Sequence, residues 1–150
     1  PRQVRRMRLA LVAAGKLKDA GLQSLCAEYL RRIQPFAPLE LVEVRDAAAL
    51  RAHWGRHASP TVRVLLDERG DQLDTRGLAG WISQWRGEGA RAVNFYIGDA
   101  DGFSPTDRAG ADRLLALSRL TLPHRLARLI LLEQLYRAAT LLAGHPYHHE

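Results

Sequence analysis

The sequence predicts an α/β fold, a parallel sheet covered by helices on both faces. Three observations carry this expectation. Strand-like and helix-like segments alternate along the chain. The strand-like segments, such as MRLALVAA at Met7–Ala14 and AVNFYI at Ala92–Ile97, are nearly continuous apolar runs, as strands buried on both sides require. The length of 150 residues suits one domain able to bury about 70% of its unfolded surface.

Each element follows from local pattern. Met7–Ala14 reads as a buried strand that ends at Gly15. In Ala20–Ile33 the apolar residues Leu22, Leu25, Cys26, Tyr29, Leu30 and Ile33 recur at three and four, which is helical spacing. Pro35 and Pro38 end that helix. Leu39–Val44 alternates as a half-buried strand, and Asp46 is placed to cap a helix over Ala47–His57. Ser59-Pro60 is a break before a third strand, Thr61–Leu66, which a charged loop over Asp67–Asp74 follows. Thr75–Arg86 carries Leu78, Trp81, Ile82 and Trp85 on one helical face and stops at Gly87 and Gly89. The strand Ala92–Ile97 runs into a glycine-containing turn. Ser104-Pro105 opens a short helix, with a capping residue followed by proline at the first helical position. A short fifth strand is expected at Leu115–Leu117. The longest helix is expected over Arg125–Ala143, closed by Gly144 and His145-Pro146.

Composition excludes several classes. Apolar residues make up 47% and charged residues 25%, so neither a disordered chain nor a fibre is expected. The one cysteine, Cys26, rules out an intramolecular disulfide and a multi-cysteine metal cage, and its apolar setting points to a buried, inert thiol. No apolar run reaches membrane-spanning length and no secretory signal pattern opens the chain, so a cytoplasmic protein is expected. The formal charge is +6, and half of it comes from the three arginines of residues 1–6. With Met7 the only methionine, residues 1–6 read as a non-native or disordered extension and residues 7–150 as one domain. All basic residues except Lys16 and Lys18 are arginine, which fits a polyanion partner and equally fits a GC-rich coding bias.

Three segments fall beyond the carboxyl ends of the strands, where ligands of open parallel sheets sit. The first is Leu66–Gly70. The second, Ile97–Gly102, has Gly98 and Gly102 just after a strand. It reads either as a turn that lets main chain approach a ligand or as an ordinary strand–helix turn fixed by Asp99 or Asp101. It is neither a dinucleotide fingerprint nor a P-loop. The third, Ser118–His124, is an apolar loop. Its main chain could bond the edge of a purine while leucines cover the ring, or it could be a buried crossover. The last helix is apolar nearly all round, through Leu126, Leu129, Ile130, Leu132, Leu135, Tyr136, Ala139 and Leu142. That exceeds the single stripe a surface helix needs and points to a homodimer. Glu133 and Arg137 are spaced as an i,i+4 pair, for which a solvated ion pair is the plainer reading. The tail from His145 to Glu150 gathers His145, His148 and His149. Such a tail could bind metal, transfer protons or stack on a base. Too few fixed ligands argue against zinc, so no metal is expected, and Pro146 and Tyr147 argue against disorder.

These pieces resemble the RlmH family, small SPOUT-class (α/β-knot) methyltransferases that act at N3 of a pseudouridine in large-subunit ribosomal RNA. The resemblance covers residues 7–150. It rests on MRLALVAAG at Met7–Gly15, EYLRR at Glu28–Arg32, LLD at Leu65–Asp67, IG at Ile97-Gly98 with DGFSP at Asp101–Pro105, LTLPH at Leu120–His124, EQLYR at Glu133–Arg137, and HPYH at His145–His148 with terminal Glu150. It implies a C-terminal trefoil knot, an exception to the unknotted rule. It also implies S-adenosylmethionine (SAM) as cofactor, bound by Leu66, Gly98, Asp99, Ser118, Arg119, Leu120, Thr121, Leu122 and Pro123. Asp99 stands where the family's Ile-Gly-Gly turn has its second glycine, and His149 stands where a basic residue is usual. A carboxylate at Asp99 could help hold the cofactor's ammonium group or crowd it.

The resemblance further implies a composite site in which one subunit's tail faces the other's cofactor, with the 70S ribosome or large subunit as substrate. Methyl transfer needs alignment of nucleophile and methyl group, and loss of the N3 proton. His148 is then the candidate base, Tyr147 a stacking partner, and His124, Glu133 and Arg137 orienting groups. Two readings compete: a SPOUT enzyme for another RNA such as tRNA, and an RNA-binding module without chemistry. A dinucleotide-dependent oxidoreductase is disfavoured by the missing fingerprint.

Overall fold

The computed structural model describes residues 6–56 and 60–149. Five parallel strands form one sheet in the order β2-β1-β4-β3-β5. They are β1 (Arg8–Ala14), β2 (Leu39–Val44), β3 (Thr61–Gln72), β4 (Ala92–Ile97) and β5 (Arg113–Ala116). Helices α1 (Ala20–Ile33), α2 (Ala47–Arg56), α3 (Thr75–Gly87), α4 (Pro105–Ala109) and α5 (His124–Leu142) connect and follow them.

Side chains alternate across the sheet, as the strand period requires. Leu9, Leu11 and Ala13 of β1 join Val93, Phe95 and Ile97 of β4 in one core, under α1, α3 and α5. Ala10, Val12, Leu65 and Tyr96 point the other way and meet Leu50 and Trp54 of α2. All six residues of β4 are buried, which explains an apolar run broken only by Asn94. Its Tyr96 hydroxyl, buried on the α2 face, lies 3.2 Å from both His53 Nδ1 and Asn94 Nδ2, so burial leaves it hydrogen-bonded.

Helix ends follow local chemistry. Asp19 and Asp74 cap α1 and α3, Asp46 accepts from Ala49 N at the start of α2, and Ser104 with Asp107 forms a capping box on α4. Gly144 turns the chain out of α5 at φ +73°. The expected break at Ser59 and the last residue expected for α2, His57, lie outside the described residues. So do residues 1–5 of the expected extension, whereas Arg6 donates to Pro35 O at 3.3 Å.

The structure corrects the sequence reading in four places. The charged segment expected as a loop over Asp67–Asp74 belongs to β3 as far as Gln72. Leu66 and Asp71 both align with Leu115, so a bulge separates two stretches paired with β5. Between them Gly70 packs on main chain: a Cβ there would lie 2.4 Å from Leu114 C. Second, β5 begins and ends earlier than expected, at Arg113–Ala116, because its partner is this polar arm as well as the apolar part of β3. Third, α5 begins at His124. Fourth, its apolar surplus is covered mostly within the chain, since α1 and α3 both pack on it. Leu132, Leu135, Tyr136 and Ala139 are buried in the main core, with Leu129 and Leu142 packed against it. Leu126 and Ile130 remain exposed.

Candidate active site

A cleft of about 320 Å3 opens beyond the carboxyl ends of β3, β4 and β5, where ligands of open parallel sheets bind. Its wall contains Leu66, Gly98, Asp99, Ser118, Leu120, Thr121 and Leu122, seven of the nine expected cofactor residues. Arg119 and Pro123 are not on the wall: Arg119 is exposed and Pro123 is the N-cap of α5. The sequence reading missed Asp67, Phe103 and Arg108, which also line the cleft. Asp67 lay inside a segment singled out by position, but nothing local marked Arg108.

These residues hold the loops together. Arg108 Nη1 donates to Phe103 O at 2.6 Å and to Asp67 Oδ2 at 3.4 Å, tying the β4–α4 turn to β3. His124 Nδ1 lies 2.9 Å from Gly98 O. A carbonyl only accepts, so Nδ1 carries the proton and His124 clasps the Gly98 turn to the start of α5. Gly98 is buried, and a Cβ there would come within 3.3 Å of the Phe103 ring. Asp99 fixes its own turn, with Oδ1 accepting from Asp101 N at 3.0 Å and its carbonyl from Gly102 N at 3.0 Å. The turn is thus locally fixed by Asp99, and it also forms part of the cleft wall. Below it, the Arg51 guanidinium bonds the Asp107 carboxyl and holds it down at about 2.

The apolar loop Ser118–Pro123 is not a buried crossover. Leu120 is 76% exposed, and its amide donates to Ser118 Oγ at 2.9 Å. Among the described residues the main-chain groups of Thr121 and Leu122 form no hydrogen bond. They sit on the cleft wall as unpaired donors and acceptors, beside the apolar Leu66 and Leu120 side chains. Such a wall suits a flat heteroaromatic ring bonded at its edge.

The tail docks against α5 instead of extending into solvent. Tyr147 packs edge-on against Tyr136 with centroids 4.5 Å apart. Its hydroxyl donates to Glu133 Oε2 at 2.9 Å, and burial, followed by that bond, pushes the phenol well above its ordinary range. Glu133 Oε2 also accepts from Arg137 Nη2 at 2.8 Å. Arg137 Nη1 lies 3.2 Å from His148 Nδ1, and a guanidinium only donates, so that ring nitrogen accepts. Glu133 and Arg137 are thus not the solvated ion pair expected: their side chains are 18% and 23% exposed and organise the tail. Arg32 of α1, which the sequence reading did not assign, lies over the rings of Tyr29, Tyr136 and Tyr147.

Within one chain the tail cluster and the cleft stay apart. Glu133 and Arg137 follow His124 by nine and thirteen helical residues, roughly 13–20 Å along the axis. His124 thus joins the cleft, and His148, Tyr147, Glu133 and Arg137 form the second group. Cys26 is buried and its thiol is pushed up by desolvation, in keeping with an inert residue. Among the described residues no group of His, Cys, Asp and Glu is arranged to hold a metal, and no helix is long and apolar enough to cross a membrane.

Comparison with known proteins adds the family. The family model described as "Predicted SPOUT methyltransferase" matches residues 7–148. The chain is 43% identical to the ribosomal RNA large subunit methyltransferase H of Thiobacillus denitrificans, over 96% of this chain and 100% of that one. It is 45% identical to the protein of the same name from Gloeobacter violaceus, over 95% and 99%. In fold it resembles a probable methyltransferase from Bordetella pertussis, with a TM-score of 0.56 and 17% identity over 89% of this chain and 96% of that one. With a family model spanning nearly its whole length and relatives this similar over theirs, the chain belongs to the RlmH family of SPOUT methyltransferases.

Proposed function

We propose that this chain is a SAM-dependent methyltransferase of the cytoplasm that modifies N3 of a pseudouridine in large-subunit ribosomal RNA. It would act as a homodimer on the assembled ribosome or large subunit. The observation that carries the reading is the cleft wall, where unpaired main chain at Thr121–Leu122 faces Leu66 and the Gly98 turn. That wall fits SAM: the loop edge would hold the adenine, Leu66 and Leu120 would cover it, and Asp99 and Asp101 would lie where an ammonium group is favoured. When bound, SAM supplies an electrophilic methyl group on a sulfonium. His124, through its bond to Gly98 O, holds the turn and the α5 terminus in one geometry.

The acceptor nitrogen must lose its proton. His148 has Nδ1 turned to Arg137, so accepting a proton there requires that contact to break. Arg137 is held protonated, first by its hydrogen bond to Glu133. The tail therefore reads as an electrostatic device: Arg137 stabilises the developing base anion, His148 orients the base, and Tyr147, a neutral phenol, packs it. The helical distance between tail and cleft supports a composite site made by two subunits. So do the exposed leucine of the cleft wall, Leu120, and the exposed Leu126 and Ile130 of α5. Membership in a SPOUT family supports a knotted C-terminal part.

The test is methyl transfer from labelled SAM to 70S ribosomes, large subunits and free tRNA, with the product mapped by mass spectrometry. The expected product is N3-methylpseudouridine in large-subunit RNA. Label in tRNA alone favours a different SPOUT substrate, and no label with no SAM binding favours a module without chemistry.

A further inference from the structure

A second hollow, of about 260 Å3, lies beyond the carboxyl end of β1 and shares His124 with the cleft. Its other walls are the Gly15–Asp19 loop, Arg125 and Arg128. The loop is built rigidly. Gly15 turns at φ +93°, Leu17 is buried, Leu17 N donates to Glu43 Oε2 at 2.7 Å, and Gln23 Nε2 donates to Leu17 O at 2.6 Å. Lys16 and Lys18, the only lysines in the chain, flank that anchor and are exposed.

Opposite them stands the first turn of the nineteen-residue α5, whose N-cap, Pro123, supplies no side-chain hydrogen bond. The amides of His124 and Arg125 therefore have no partner among the described residues. Beneath lies Arg128, 3% exposed. Its Nη1 bonds Glu43 Oε2 at 2.6 Å and its Nη2 bonds Gly15 O at 3.2 Å. Its Nε is buried with no partner among the described residues. Four cations thus line or approach one hollow against two carboxylates, Asp19 and Glu43. An uncapped helix terminus, a rigid basic loop and a buried guanidinium are the parts of an anion site.

We propose that this hollow binds one phosphodiester of the RNA substrate and so seats the strand next to the cofactor cleft. The proposal rests on the RNA-methyltransferase reading above. Lys16, Lys18 and Arg125 would contact the phosphate, and Arg128 would position the loop through Gly15 and Glu43.

The experiment compares wild type with the triple variant Lys16→Gln/Lys18→Gln/Arg125→Gln in methyl transfer to large ribosomal subunits. A charge-matched control, Arg8→Gln/Arg86→Gln/Arg91→Gln, changes exposed residues at the opposite end of the strands. The expected result is a KM for subunits raised about tenfold and a salt dependence shallower by about 0.7–0.9 in log–log slope, one phosphate's worth. The kcat and the SAM dissociation constant should stay within about twofold, and so should the KM of the control. Equal losses in both triples, an unchanged KM, or a loss of SAM affinity, which would assign the hollow to the cofactor's carboxylate, would each overturn the proposal. A second arm does not depend on the substrate: ribose 5-phosphate is titrated into labelled protein by NMR. The amides of Gly15–Asp19 and Arg125 should shift in wild type and not in the triple variant. No shift in wild type overturns the site even if methylation proceeds, whereas shifts without ribosome methylation fault only the substrate reading.

Discussion

Replacing Glu133 by alanine should release the tail without unfolding the domain. Glu133 Oε2 accepts from Tyr147 at 2.9 Å and Arg137 Nη2 at 2.8 Å. A hydrogen bond to a charged group contributes about 1.5–3 kcal/mol. Both carboxylate and phenol keep some exposure, so the lower part of that range applies. Losing Glu133 also frees Arg137, which the ion pair orients toward His148 of the tail, and that adds about 0.5 kcal/mol. A loss of about 2 kcal/mol shifts the docking equilibrium of the tail about 30-fold. Chymotrypsin reads this directly, since cleavage after Tyr147 requires an undocked tail and its rate follows the open population. Glu133→Ala should raise that rate about 30-fold. Tyr147 with its ring still on Tyr136 but its hydroxyl replaced, as Tyr147→Phe, should fall between. The thermal midpoint should drop by only a few degrees. Cleavage unchanged within twofold in Glu133→Ala would refute the claim that this carboxylate holds the tail.

Other outcomes follow from the same geometry. Gly70→Ala places a methyl 2.4 Å from the Leu114 carbonyl carbon. Main chain cannot yield there, so stability should fall by about 3 kcal/mol or more in denaturant unfolding. The folded-state pKa of Asp107 is depressed to about 2 by Arg51, so its stabilisation is present above the ordinary carboxylate value and lost as pH falls through about 2. Asp107→Asn should be about 1–2 kcal/mol less stable at pH 7 and lose less than wild type between about pH 4 and 2, measured by urea unfolding. Leu126→Lys/Ile130→Lys, at exposed positions of α5, should sediment as a monomer that binds SAM but no longer methylates ribosomes.

Much of the scaffold was legible because its signals are local. The α1 spacing, the buried run of β4 and the Ser104-Pro105 helix start each depend on a few neighbouring residues, and all three stand as read. The arm Asp67–Gln72 was not, because its residues are polar and only pairing with β5 holds it as strand. The apolar surround of α5 was visible, but a sequence does not tell cover by α1 and α3 from cover by a second subunit. Site residues divide the same way. The loops at the strand ends could be placed from the alternation of elements. The contacts that give them shape join residues 26 positions apart at His124–Gly98, 41 at Arg108–Asp67 and 14 at Tyr147–Glu133, and leave no periodic trace.

The place where the methyl donor binds is the most direct test of the proposed function. Titrating SAM into the isotopically labelled protein, with calorimetry on the same sample, reads both affinity and place. Saturable binding, with the largest amide shifts at Leu66–Arg69, Gly98–Phe103 and Leu117–Leu122, is the outcome expected. Absence of heat, or shifts confined to surfaces away from the carboxyl ends of β3, β4 and β5, would contradict it.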